Sequence, residues 1–323
     1  MRRTVKLQAS GERLSVSRRV LILVSSPSVN SEADFAELAT WTHELSPETA
    51  VFVLPDVRDA DRLASVPDLP TVTVSPAPVR RLRPQRGSVL QGQHVAKTEE
   101  YRALDAIGVP VPRWARLLPG KRPNLDGFGP YVVTKPDFGA RGAEVRIERR
   151  DDAQWKPPRT ELSEQFGGAR NPRVAQEFVY TGPWPRSYRV TTLFGTALFV
   201  FRVEADHARQ PLVDRSAFHG HSVVSSGHGC TFELFADPEI LSLAERAHAA
   251  VPNVPLLGVD ILRDADTGQL FVVELNGLGY TWDFSSPTGL SLQAQFGFNL
   301  EAQFDGRRRA ASVLARVCEE RCR

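Results

Sequence analysis

Between Gly258 and Gly277 the chain reads Gly-Val-Asp-Ile-Leu-Arg-Asp-Ala-Asp-Thr-Gly-Gln-Leu-Phe-Val-Val-Glu-Leu-Asn-Gly. Val259–Leu262 and Leu270–Leu275 are β-branched and apolar runs, and Asp264-Ala-Asp-Thr-Gly268 between them has turn composition, which predicts a hairpin. With the turn centred on Thr267, Asp260 falls directly across from Glu274, and opposed residues bring their Cβ atoms to roughly 5 Å. Asn276, two residues beyond Glu274, shares its face. Two carboxylates and an amide on one face repel unless a cation sits among them. Oxygen-only donors without His or Cys favour Mg²⁺ over zinc, and Mg²⁺ held this way usually also holds substrate phosphates. A surface hairpin with a polar tip accounts for Asp264 and Asp266. It accounts badly for Glu274 and Asn276, which end an apolar run of buried-strand type.

Other residues suited to anions lie upstream. In Tyr131-Val-Val-Thr-Lys-Pro-Asp-Phe-Gly-Ala-Arg-Gly-Ala-Glu-Val145 a strand delivers Lys135 to the root of a loop with Gly139 and Gly142. Glycines let backbone N–H groups approach an anion, and the lysine adds a point charge. A plain hairpin with an exposed lysine is the competing reading. Asp137-Phe-Gly139 matches the kinase triplet, but no His-Arg-Asp loop accompanies it, and no Gly-Lys-Ser/Thr closes the segment as in a P-loop. Further on, Arg189 and Arg202 are equidistant from the turn at Gly195-Thr196. That spacing predicts two guanidiniums aimed at one place, suited to a carboxylate or phosphate, or else two arginines decorating a solvent-facing sheet. Residues 210–231 hold Arg215, His219, His221, His228 and Cys230. They could form a zinc site, although the spacing fits no standard module, a substrate-facing loop with one His as proton acceptor, or simply a polar loop. Trp282-Asp-Phe-Ser-Ser286 follows Asn276 and reads either as a neighbour of the same pocket or as a core tryptophan.

The elements that must position these groups alternate strand and helix at first. Val20–Val24, Ala50–Leu54 and Thr71–Val74 read as strands, Glu32–Leu45 as a helix capped by Ser31, and Arg58–Ser65 as a short helix, giving a small parallel α/β unit. No G-x-G-x-x-G follows its first strand. Pro76–Gly92, rich in Pro, Gly and Arg, reads as a linker. A helix is expected over His94–Ile107, then short strands over Trp114–Ile147, an exposed polar excursion over Asp151–Asn171, long strands with a helix over Asp237–Ala250, and a closing helix over Leu300–Cys322. The resulting division is 1–92, an N-terminal α/β domain plus linker, 93–182, a lid-type subdomain, and 183–323, a C-terminal subdomain with the metal site. The 323 residues, 41% hydrophobic and 24% charged with net charge +2, suit a globular protein and give no mark of a nucleic-acid binder. Three cysteines make no disulfide framework. The longest apolar run near the start is too short to span a bilayer, and no signal-peptide pattern follows Met1, so a soluble cytoplasmic protein is expected.

Taken together, the blocks from Ala96 to Ser286 resemble the ATP-grasp family, and within it the RimK-like carboxylate–amine ligases. The matching parts are the strand lysine before the glycine loop, Gln176-Glu-Phe-Val179, the Tyr188-Arg189 to Arg202 hairpin, and Gly258-Val-Asp-Ile-Leu-Arg with Glu274-Leu-Asn276. The resemblance implies an α/β (α+β) ATP-grasp fold, with a small parallel N-terminal domain and two α+β subdomains sandwiching ATP. It implies that Asp260, Glu274 and Asn276 hold two Mg²⁺ ions (or Mn²⁺) and that Lys97, Lys135 and the loop of Gly139 and Gly142 contact the phosphates. Gln176, Glu177, Phe178 and Val179 would line the adenine, with Arg189, Arg202 and Arg215 acting on the transferred phosphoryl group or the substrate carboxylate. The implied reaction joins a small-molecule or peptide carboxylate to an amine through an acylphosphate, releasing ADP and phosphate. Nucleic acid and membrane are not among the implied partners, and a homo-oligomer is compatible. A catalytically silent ATP-binding protein and an ATP-grasp kinase acting on a hydroxyl stay open as alternatives.

Overall fold

Val20-Leu-Ile-Leu-Val24 has no polar residue because both of its faces are buried. Val20, Ile22 and Val24 join one core cluster, while Leu21 and Leu23 join another on the opposite side. This strand, β1 (Arg19–Val24), lies inside a four-stranded parallel sheet with β2 (Thr49–Leu54), β3 (Thr71–Ser75) and β4 (Gly87–Gln91), in the order β2-β1-β3-β4. The computed structural model describes residues 17–27, 29–60, 63, 66, 68–139, 142–157, 172–209 and 229–322. The first helix, α1 (Glu32–Leu45), is capped as expected, with Ser31 Oγ accepting from Asp34 N at 3.1 Å. A one-turn helix, α2 (Val57–Ala60), follows β2.

The stretch read as a linker is not all linker, since β4 lies within it and pairs in register with β3 from Thr71↔Gly87 to Ser75↔Gln91. Gly-Ser-Val-Leu-Gln is too short and polar to stand out between prolines and arginines. The sheet edge makes it a strand by offering a ladder to complete.

Beyond the parallel sheet, the described residues build two antiparallel sheets. The smaller contains β5 (Trp114–Leu117), β6 (Tyr131–Pro136), β7 (Arg146–Arg149) and β8 (Arg173–Glu177), ordered β5-β8-β6-β7. The larger contains β9 (Arg186–Leu193), β10 (Thr196–Ala205), β11 (Cys230–Leu234), β12 (Leu256–Arg263) and β13 (Leu270–Asn276), ordered β11-β10-β9-β12-β13. The fold class is therefore mixed α/β, with one parallel and two antiparallel sheets. Helix α3 (Lys97–Ala106) precedes the smaller sheet, and α4 (Pro238–His248), capped by Asp237, covers one face of the larger through Ile240, Leu243, Ala244 and Ala247. After α5 (Pro287–Phe296) the expected single closing helix is two, α6 (Glu301–Phe304) and α7 (Gly306–Arg321). The break falls at Asp305, in the left-handed region at φ 52°, just before Gly306. A Cβ on Gly306 would meet Phe284 Cζ at 2.4 Å and Leu198 O at 2.8 Å. Close approach of the chain to β10 thus fixes the glycine and stops the helix running straight through.

Helix α7 returns to the first sheet. Its Ala310, Ala311, Val313, Leu314 and Val317 share a core with Leu21, Leu23, Phe35 and Leu38 from the start of the chain and with Phe199 and Phe201 of β10. Arg307 reinforces this junction by bonding Asp34, Glu37 and Glu301. No helix among the described residues is long and apolar enough to cross a membrane.

Burial fixes the charge state of His248 at the end of α4. Its Nε2–H donates to Val254 O at 2.8 Å and its Nδ1 stands 2.7 Å from the Thr192 hydroxyl, while desolvation pushes its pKa down to about 4. The native chain therefore refuses a proton that the unfolded chain accepts near pH 6.5, so stability declines as pH drops from 6.5 towards 4. Urea unfolding should show this as a slope of up to ~1.4 kcal/mol per pH unit that His248→Gln flattens. An unchanged slope in the variant would assign the loss to other groups.

Candidate functional site

The hairpin turn forms around Asp264, whose Oδ1 accepts from Asp266 N, Thr267 N and Thr267 Oγ1 at 2.8–3.1 Å, with Gly268 left-handed at φ 75°. Pairing of Arg263 with Leu270 centres the turn between Asp266 and Thr267, half a residue from the expected position. A β-bulge between Asp260 and Ile261 restores the phase: Ile261 pairs with Val272, Val273 is the extra residue, and Asp260 lies directly across from Glu274. Gly258 pairs with Asn276. The bulge also lets Val272 join the apolar core under α4 while Glu274, two residues on, faces the other way.

Arg189 on β9 pairs with Asp260 on β12, so Arg189, Asp260 and Glu274 form a row across three strands. The guanidinium grips Asp260 with two bonds, Nε to Oδ1 at 2.7 Å and Nη2 to Oδ2 at 2.6 Å. Although burial works against its charge, Asp260 holds the Arg189 pKa above the ordinary arginine value. Asn276 Nδ2 donates to Asp260 Oδ2 at 3.0 Å. Glu274 receives a different cation, Lys97 Nζ, at 3.0 Å from Oε1. Burial alone would raise the Glu274 pKa, but Lys97 and Lys135 bring it below the usual carboxylate value. Lys97 is raised in turn: burial opposes its charge, and Glu274 and Glu100 more than compensate. Lys135 Nζ donates to Val273 O at 3.0 Å and lies 5.4 Å from the Tyr101 ring centre; burial pushes its pKa down to about 8.

The remaining expected site residues divide three ways. Gly139 belongs to the cluster, its carbonyl accepting from Lys97 Nζ at 3.3 Å, and Gly142 takes the left-handed φ of 66° that its loop requires. Asp137, the decoy acid, has a structural task. Its carboxylate accepts from Thr98 N at 2.8 Å and Thr98 Oγ1 at 3.0 Å, supplying the N-terminal cap that Ala96 cannot give α3. Gln176 and Val179 are buried, and the Glu177 and Phe178 amides are committed to Arg113 O (2.7 Å) and Tyr131 O (3.2 Å). The Glu177 carboxylate accepts from Gly129 N at 2.9 Å.

Arg202 is not brought to Arg189. An extra residue, Leu198, shifts the β9–β10 ladder, so Arg189 pairs with Phe201 and Arg202 with Tyr188. A one-residue slip turns a side chain to the opposite face. Arg202 accordingly lies on the α4 side, bonded to Glu233 at 2.8 Å and stacked over Phe235. Arg215, His219, His221 and His228 lie outside the described residues; Cys230 is buried on β11.

Three further groups at the site escaped the sequence reading. Glu100 is fully enclosed and accepts from Leu275 N at 3.1 Å, its carboxyl pushed up to about 8 by burial. Asp283 is buried, raised by that burial, bonded to the Ser286 hydroxyl at 3.0 Å and within the field of Arg189. His94 stands edge-on to Phe138, its pKa lowered by burial and by Lys97. Spacing could have signalled Glu100, since Lys97, Glu100 and Tyr101 are one helical turn apart.

Oxygen donors of Asp260, Glu274 and Asn276 on one sheet face suit Mg²⁺, which takes one or two carboxylates and completes its shell with phosphate oxygens and water. Among the described residues no three His, Cys, Asp or Glu side chains cluster as a metal cage.

The chain matches no protein-family model and no curated protein. Among solved structures it is similar to the D-cycloserine synthetase DcsG, at 19% identity over 93% of this chain and 99% of that one, TM-score 0.49. It is also similar to a D-alanine–D-alanine ligase from Bacillus anthracis complexed with ATP, at 13% identity over 94% and 99%, TM-score 0.47. A third is the ATP-grasp ligase PsnB complexed with a minimal precursor, Mg and ADP, at 15% identity over 86% and 98%, TM-score 0.44.

Removing Arg189 would leave Asp260 facing Glu274 without its counter-charge. Arg189→Met should cost ~2–3 kcal/mol of unfolding free energy in denaturant titration. Adding Asp260→Asn should recover at least half of it. Loss of the same amount in the double variant would mean that the pair is not coupled.

Proposed function

We propose that this chain is an ATP-grasp enzyme of the RimK-like kind, an ATP-dependent ligase that joins a carboxylate to an amine. The observation that carries the reading is the direct opposition of Asp260 and Glu274, with Asn276 beside them and Lys97, Lys135 and Arg189 converging on the same face. A structural hairpin has no use for two opposed acids that need three cations. A site for a polyphosphate and its metal uses both signs of charge.

In the proposed reaction a substrate carboxylate oxygen attacks the γ-phosphorus of ATP and ADP leaves. The amine then attacks the acyl carbon, phosphate departs, and the amine loses a proton. Asp260, Glu274 and Asn276 would hold Mg²⁺, two ions in this reading, which would supply positive charge against the negative charge developing during phosphoryl transfer. Lys97 and Lys135 exchange Glu274 and the Val273 carbonyl for phosphate oxygens, which keeps each ammonium paired in a buried place. Arg189 stays rigid through its two bonds to Asp260, a fixed positive group that needs no reorganisation as charge develops. The loop of Gly139 and Gly142 closes over the phosphates, sheltering the acylphosphate from water. Arg202, on the other face, has no part in these steps. The substrates are a small-molecule or peptide acid and an amine, and the compartment is the cytoplasm.

Incubation with Mg²⁺-ATP and a panel of amino acids and short peptides should release ADP and free phosphate together with an amide product. Glu274→Ala should lower kcat/KM by at least ~100-fold, the scale of losing one preorganised charge stabiliser. Lys135→Ala should raise the KM for ATP. Undiminished turnover in Glu274→Ala would refute the assignment, and a stable phosphorylated product in place of free phosphate would indicate transfer to a hydroxyl.

A further inference from the structure

The strand that carries Glu274 and Asn276 is the edge of its sheet, and it is irregular at the critical point. Because Val273 is an extra residue, the backbone could place Glu274 on either face by moving the bulge one position. Among the described residues no further strand lies outside β13 to hold the phase.

Helix α3 lies along that open edge. Lys97, Glu100 and Tyr101 share one helix face and reach three consecutive residues of the strand. Tyr101 Oη donates to Val273 O at 2.9 Å, Lys97 Nζ pairs with Glu274 Oε1 at 3.0 Å, and Leu275 N donates to Glu100 Oε2 at 3.1 Å. The Glu100 bond lies between the two expected metal ligands. Its acceptor is fully enclosed, in a place where an unpaired amide would be costly.

Resting on the reading of Asp260, Glu274 and Asn276 as a metal site, we propose that Glu100 is a positioning residue: its bond to the Leu275 amide fixes the bulge and thereby sets Glu274 and Asn276 on the ligand-bearing face. It touches neither metal nor substrate and acts through the backbone of β13. A glutamine preserves both its shape and the side-chain oxygen that accepts from the Leu275 amide.

The test compares Glu100→Gln and Glu100→Leu in the full chain. Two readouts independent of turnover are Mn²⁺ affinity by electron paramagnetic resonance in the presence of a non-hydrolysable ATP analogue, and hydrogen exchange of the Leu275 amide. Glu100→Leu should weaken Mn²⁺ binding at least tenfold and speed Leu275 exchange, while exchange at Val259 and Ile261 stays as in the wild type. Glu100→Gln should keep both within about threefold of wild type, as an acceptor role requires. Wild-type Mn²⁺ affinity in a folded Glu100→Leu protein would overturn the proposal. So would loss of affinity in Glu100→Gln, which applies even where the leucine variant does not fold. A wild-type protein that holds no Mn²⁺ with the nucleotide analogue would instead fail the metal-site reading. In that case the exchange comparison decides alone whether Glu100 fixes the strand.

Discussion

Two carboxylates directly opposed on neighbouring strands set the terms for everything around them. Asp260 and Glu274 can be ionised side by side only if positive charge is supplied at the same depth. The fold supplies it from three separate elements: Arg189 from β9, Lys97 from the start of α3, and Lys135 from the end of β6 in the other antiparallel sheet. Each buried cation also needs the acids, since a lone ammonium at that depth would lose its proton. The cluster is thus a mutual arrangement in which no member is stable alone, and it ties the two antiparallel sheets together by charge as well as by packing.

Secondary connections keep the cluster in place. Asp137, at the root of the glycine loop, caps α3, so the helix that bears Lys97 and the loop that bears Gly139 are fixed to each other. Beyond Asn276 the chain meets the segments that leave β3 and β4: Gln93 N donates to Gly277 O and Gly279 N to Pro76 O, and a Cβ on Gly279 would stand 2.3 Å from Pro76 Cβ. Trp282 Nε1 and Ser285 Oγ then both donate to Asp34 on α1. The exit from the site is held by the N-terminal part of the molecule.

Much of this was legible in the residues. Apolar runs and turn chemistry located three of the four parallel strands, α1 with its serine cap, and the opposition of Asp260 and Glu274. What escaped had physical causes. The β9–β10 hairpin has a symmetric count about Gly195-Thr196, but a bulge at Leu198 carries no local signature, and it sent Arg202 to the far face. A second bulge, at Val273, compensated for a turn slightly displaced from its expected centre, so the Asp260–Glu274 register came out as expected by a route the spacing did not reveal. Strand β4 owes its existence to a partner distant in sequence. Lys97 reads equally well as an ordinary exposed helix lysine, because its burial depends on β13, some 175 residues downstream of Glu100. Asp137, whose kinase-like triplet lacks an accompanying His-Arg-Asp loop, is a helix cap, a role that spacing alone did not reveal.

The position of α7 bears on how the polypeptide can be made. The side of the first sheet carrying Leu21, Leu23 and Val72 is covered in part by Ala310, Leu314 and Val317, which are synthesised more than two hundred residues later. While the ribosome is still translating the middle of the chain, that apolar surface has only the part of its cover that Phe35 and Leu38 of α1 supply, and the rest must wait until the distal helix arrives. Completion of the earliest layer is therefore among the last events of biogenesis, and assembly of this molecule cannot proceed strictly from first residue to last.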